Sequence, residues 1–192
     1  DGIDGLAAGI SMLVSIFLGF FFYLTENHSY AILSFSLSGS LIAFLRFNLF
    51  SKENKIFMGD TGSLILGTVL SVLIIKFLNS GTSSGLIMPN FIHLPTIALS
   101  LLIVPVCDVI RVFLIRIYHR KSPFSADMNH IHHLLIKLGM SHIKASLFLF
   151  TMTSILVGVS FMLQNYMTVT SSFITLLAMS FALVGVLARI KK

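Results

Sequence analysis

Tryptophan is absent from this 192-residue chain, cysteine occurs once, and seven acidic residues face 13 lysines and arginines. The lone Cys107 excludes a disulfide within the chain and leaves the redox compartment open. Charged residues make up 10% of the chain, against about 25% in a soluble domain. That scarcity excludes an ordinary water-facing surface. Hydrophobic residues reach 56%, and mean hydropathy is +0.96. The chain therefore reads as an integral membrane protein. Asp1 is not a start methionine and no signal-peptide pattern precedes the first apolar run, so the chain is expected to be part of a longer protein.

The apolar runs are continuous and do not alternate, which predicts helices, not barrel strands. Six membrane helices are expected, over 6–24, 30–49, 63–78, 94–118, 144–163 and 171–188. Each is close to the roughly 20 residues that cross a bilayer. The predicted fold class is all-α, a polytopic transmembrane bundle forming one domain over 1–192. Under this topology every lysine and arginine except Lys76 falls on one side. The positive-inside rule puts the 50–62 loop, the 119–143 loop and the C-terminus in the cytoplasm, and residues 1–5 with them. Topology and anionic lipid headgroups account for the net charge of +6. No nucleic-acid-binding pattern is present.

Carboxylates are costly near hydrocarbon and mark function there. Three of the seven sit in two glycine-flanked motifs, Asp1-Gly2-Ile3-Asp4-Gly5 and Met58-Gly59-Asp60-Thr61-Gly62-Ser63. Asp1 and Asp4 share a face if the helix has already begun, and either can instead cap it. Asp60 is a hard oxygen ligand suited to Mg²⁺, or a cap for the third span. Ser63, Gly67 and Ser71 repeat at four-residue spacing and are assigned to helix packing.

Residues 129–137 predict a helix closed by Gly139. Ile131, Leu134, Leu135 and Leu138 form its apolar stripe, while His130, His133 and Lys137 occupy the other side. It is expected to lie along the membrane surface, holding imidazoles where phosphates dock. Zinc is a rival ligand, but the His130-Ile131-His132-His133 run lacks the i, i+4 histidine pair of helical zinc sites. Arg120 and Lys121 serve either phosphate contact or topology. Asp108 and Arg111, at i, i+3 inside the fourth span, are expected to pair with each other.

Taken together, DGIDGLAAG at 1–9, KIFMGDTGSLILG at 55–67 and RKSPFSADMNHIHHLL at 120–135 resemble the polyprenyl-phosphate N-acetylhexosamine-1-phosphate transferases. The order and spacing of the motifs agree with that family over the whole chain. The SPF and HIHH forms resemble the branch that uses UDP-N-acetylglucosamine or a related UDP-HexNAc. The resemblance implies transfer of a sugar 1-phosphate to undecaprenyl phosphate with release of UMP. This is a first membrane step of cell-envelope polysaccharide synthesis, on the cytoplasmic face of a bacterial inner membrane. It implies Mg²⁺, with Mn²⁺ as a substitute, and Asp60 as metal ligand. It assigns Asp1 and Asp4 to the nucleotide-sugar site and Phe57 to stacking on uracil. His130, His132 and His133, with Arg120, are assigned to the pyrophosphate.

Two departures accompany the resemblance. An asparagine of the family would fall near position 50, and Asn48 stands closest to it. The family's acidic pair in an earlier loop, and its first spans, have no counterpart here, so the chain is expected to be the C-terminal portion of such an enzyme. Membrane lipids are implied partners, and the sequence leaves room for a homodimer. Both direct attack by the lipid phosphate and prior attack by an enzyme aspartate remain open. The rival readings are a transporter subunit, which needs opposed charges at mid-membrane, a CDP-alcohol phosphotransferase, and a non-catalytic interaction fragment.

Overall fold

The structure is a computed structural model that describes residues 3–51, 53–83, 93–120, 122 and 130–189. All regular structure among the described residues is helical. The elements are α1 (Leu6–Leu24), α2 (His28–Phe50), α3 (Gly59–Ser83), α4 (Leu94–Tyr118), α5 (Ile131–Lys137), α6 (His142–Leu163) and α7 (Val169–Arg189). All but α5 are long and apolar enough to cross a membrane, so the chain is a multi-pass membrane protein.

The limits of α1 and α4 agree with the sequence expectation. The other four spanning helices run longer at one or both ends. For α3 the reason is local: Gly59 to Gly62 form the first helical turn rather than a loop before it.

The bundle is held as membrane helices are, by close packing and interhelical hydrogen bonds. Helix α1 packs on α2, α6 and α3, and α4 packs on α6 and α7. Val14, Leu18 and Phe22 of α1 are fully buried, as are Leu73 and Phe77 of α3 and Ile97 and Leu101 of α4. Phe77 meets the ring edges of Phe17 and Phe21, at centroid distances of 6.1 and 4.5 Å. Polar staples cross the core: Ser38 Oγ donates to Ser15 Oγ at 3.1 Å, and Ser100 Oγ to Ser160 Oγ at 3.2 Å. Cys107 Sγ lies 2.9 Å from Ser180 Oγ, so the lone thiol joins α4 to α7.

Helix α5 has the one-sided burial expected of it. Its apolar side is buried in the main core through Ile131 and Leu135, and it packs on α6 and α7. Its first residue is bonded to Asp108 of α4. Ten residues separate Asp108 from the α4 terminus at Tyr118, about 15 Å of helix at 1.5 Å per residue. Its apolar side therefore meets protein, while Lys137 stays exposed. A Schellman turn closes it: Gly139 has φ +87°, its N–H donates to Ile136 O, and the Met140 N–H donates to Leu135 O.

Candidate active site

One end of the bundle gathers the start of α1, the end of α2, the start of α3, helix α5 and the start of α6. Asn48, buried on the last turn of α2, is the clasp. Its Oδ1 accepts from the Gly5 N–H at 2.7 Å and its Nδ2 donates to Ile56 O at 2.8 Å. Gly5 sits at φ +77°, a conformation that L side chains rarely adopt. A Cβ there would also lie 2.7 Å from Leu49 Cδ2. The glycine thus serves the close approach of α2.

Asp4 is a hub. Its Oδ2 accepts from Lys55 Nζ at 2.6 Å and lies 3.3 Å from His142 Nδ1. Its backbone oxygen accepts from Ser146 Oγ at 2.6 Å. Lys55 also stands 5.3 Å from the centroid of the Phe57 ring, which is 72% exposed and free to stack on a flat ligand. The second aspartate of the first motif and the aromatic before the second motif therefore share one lysine. His142 and Ser146 lie outside every motif quoted above, and only the fold brings them to Asp4.

Asp60 occupies the first turn of α3 and is exposed. Its carboxylate has no hydrogen-bond or ion-pair partner among the described residues, so it does not act as a side-chain cap there. An uncommitted carboxylate suits Mg²⁺, which takes one or two carboxylates and completes its shell with substrate phosphate and water. No group of three His, Cys, Asp or Glu side chains able to hold a metal exists among the described residues.

The histidines form a second cluster. His130 and His132 are stacked, with planes 9° apart and centroids at 5.7 Å, and His133 lies 4.3 Å beyond His132. His132 is 9% exposed, and its Nε2 is without a hydrogen-bond partner among the described residues. Burial first, and the neighbouring His133 second, hold its pKa down to about 4, so the ring is neutral near pH 7.

Asp108 joins this cluster. Its Oδ2 lies 2.8 Å from His130 Nδ1, and its Oδ1 accepts from the Ile131 N–H at 2.8 Å. The contact with His130 spans 22 residues, beyond the reach of any local spacing. Arg120 follows the end of α4, exposed and with φ 55°. Asp1 lies outside the described residues, as do Lys121, Asp127 and Asn129.

Against the histidine cluster lies a groove of about 880 Å³. Its walls are mainly apolar, from Leu6 and Ile10 of α1, Leu66 and Leu70 of α3, and Pro105 and Val109 of α4. Asp108, His130, His132, His133 and Ser63 give it one polar region. Gly67 and Ser71 line it too, and a Cβ at Gly67 would meet nothing within 4 Å. The small-residue stripe of α3 thus opens a wall here and seats no neighbouring helix among the described residues.

Comparison with known proteins agrees with these motifs. The model of glycosyl transferase family 4 matches residues 1–78. The undecaprenyl-phosphate alpha-N-acetylglucosaminyl 1-phosphate transferase of Escherichia coli K12 is 32% identical over 148 residues, 76% of this chain and 38% of that protein. The transferase of that name from Salmonella typhi is 28% identical over 83% of this chain and 42% of its own length. The decaprenyl-phosphate N-acetylglucosaminephosphotransferase of Mycobacterium leprae is 32% identical over 78% of this chain and 40% of its own. The chain thus spans about two-fifths of the length of these relatives. No solved structure matches it. In its aspartate motifs and histidine run the chain is similar to glycosyl transferase family 4 over residues 1–78 and to these transferases over about three quarters of its length.

Proposed function

We propose that this chain forms the nucleotide-sugar and metal side of a transferase that moves N-acetylglucosamine 1-phosphate, or a related HexNAc 1-phosphate, from its UDP derivative to undecaprenyl phosphate. A lipid phosphate oxygen attacks the phosphorus next to the sugar, the bond to the inner phosphate breaks, and UMP leaves. The product is a lipid diphosphate sugar. The reaction belongs to the cytoplasmic face of a bacterial inner membrane, at the first membrane step of envelope polysaccharide synthesis.

The observation that carries this reading is one apolar groove with a polar region of imidazoles and a serine, beside an uncommitted carboxylate at the head of α3. An isoprenoid chain suits the apolar walls and its phosphate suits the polar region. Two anions must meet for the reaction, so alignment and charge neutralisation dominate catalysis. Asp60 would hold Mg²⁺, which when bound neutralises diphosphate charge. Phe57 would stack on the uracil ring, and Asp4, fixed by Lys55 and His142, would orient the nucleotide sugar, with Asp1 beside it in sequence. His130 and His133, with Arg120, would donate to phosphate oxygens. His132, neutral and buried, fits a hydrogen bond to a bridging or terminal oxygen rather than a charge contact.

The test is radiolabelled UDP-N-acetylglucosamine supplied to membranes carrying the full gene product, with undecaprenyl phosphate added. Label should pass to the lipid with equimolar UMP, only when Mg²⁺ or Mn²⁺ is present. Label retained in the aqueous phase under all conditions would refute the reading.

A further inference from the structure

Asp108 lies in none of the three motifs, yet it is the carboxylate most directly tied to the histidine cluster. Its two oxygens take two donors from adjacent residues of another element, His130 Nδ1 and the Ile131 N–H, each at 2.8 Å. A carboxylate only accepts, so Nδ1 of His130 carries the hydrogen and Nε2 is left as the other face of the ring. The start of α5 needs this help. His130 occupies the N-cap position of α5 but makes no side-chain cap bond. Asp108 satisfies the first free amide from α4 instead, a capping contact supplied from a different helix. The stacking of His132 on His130, and the proximity of His133 to His132, pass that orientation along the row.

We propose that Asp108 is the positioning residue of the histidine cluster: it fixes which nitrogen of His130 bears hydrogen and where α5 begins, and thereby how His130, His132 and His133 present themselves to the groove. This rests on the transfer reaction proposed above for its kinetic consequence, but its structural half stands alone. Asp108→Asn separates the two roles. The amide oxygen still caps Ile131, while the Nδ2 group donates to His130 and forces the opposite tautomer. Asp108→Ala loses both.

Two measurements on the full gene product in detergent or nanodiscs test this. The first is hydrogen–deuterium exchange of the peptide covering α5. Exchange should be faster in Asp108→Ala and close to wild type in Asp108→Asn. Equal exchange in Asp108→Ala and wild type overturns the clasp. The second is a double-mutant cycle on sugar-phosphate transfer. Asp108→Asn should lower kcat by about tenfold or more, the range by which carboxylates orienting histidines at metal centres matter. KM for the UDP-sugar should stay within about twofold of wild type, a change well under 1 kcal/mol. Added to His130→Ala, Asp108→Asn should have almost no further effect. Losses that multiply would show that Asp108 acts apart from His130, and would overturn the proposal. Wild-type protein without any transfer would sink the reaction assigned above, while the exchange comparison would still decide the clasp.

Discussion

Asn48 uses both ends of its side-chain amide on backbone, holding the Gly5 N–H and the Ile56 carbonyl together. That leaves it a role in shaping the site rather than in touching substrate. Asn48→Ala strands the buried Gly5 amide, at a cost of about 1–3 kcal/mol. The thermal midpoint in detergent should fall clearly. An unchanged midpoint with a raised KM would return Asn48 to substrate contact. Asp60 should behave in the opposite way. It is exposed and uncommitted among the described residues, so Asp60→Asn should leave the midpoint alone. It should cut Mg²⁺-dependent UMP release on the order of a hundredfold or more, the scale of losing one key electrostatic contact. Retained turnover at saturating Mg²⁺ would remove Asp60 from the metal role. His132 carries a pH prediction. Its folded pKa of about 4 lies below the ordinary 6.5, so the folded state binds fewer protons than the unfolded chain between those values. The stabilisation of α5 is complete above pH 6.5 and is lost as pH falls through that window to 4. Exchange protection of α5 followed from pH 7.5 to 4 should show the loss, and His132→Asn should flatten it.

Helix α5 shows what an amphipathic pattern tells and what it withholds. The stripe at Ile131, Leu134 and Leu135 announces a helix with one buried side, and Gly139 marks its end. Nothing in that pattern distinguishes lipid from protein as the burying surface. The structure supplies protein, so His132 is buried between two less buried histidines, which no periodicity foretold. Asp108 is the same lesson at longer range: local spacing offered Arg111, and only the tertiary fold offered His130. By contrast, α1 and α4 were legible to the residue, because their apolar runs end where polar residues begin. Gly59-Asp60-Thr61-Gly62 looked like a loop because its residues are poor helix formers, yet α3 starts at Gly59. Gly139 is left-handed but a Cβ there meets nothing within 4 Å. Gly139→Ala should therefore cost only the conformational penalty, about 1–2 kcal/mol, seen as faster exchange confined to α5. Gly5→Ala adds a clash with Leu49 to the same penalty, so its midpoint should fall further than that of Gly139→Ala. Equal losses would mean that Leu49 moves aside without cost.

At the scale of the whole molecule, the site exists only if chain direction brings separate loops to one side. The alternation of six spanning helices requires it, and the contacts agree. Asp4 touches Lys55 and His142, while Lys76, the one basic residue assigned to the opposite side, stands 5.2 Å from the Tyr30 ring at the start of α2. Charge placement then sets which side is which. Basic residues crowd the end that holds Asp4, Lys55 and α5, so that end should face the cytoplasm. Single cysteines in a background freed of other thiols, Cys107→Ala among the changes, make this measurable. Asn54 and Lys137 are exposed at the site end, and Glu26 and Tyr166 are exposed in the opposite loops. A membrane-impermeant maleimide should label Glu26→Cys and Tyr166→Cys in spheroplasts with the inner membrane intact. Asn54→Cys and Lys137→Cys should react only after that membrane is opened. All four reversed would keep the site but move it outside, away from nucleotide sugars made in the cytoplasm. Asn54→Cys and Lys137→Cys reacting from opposite sides would be worse, since Phe57 and the histidine row could not then meet one diphosphate.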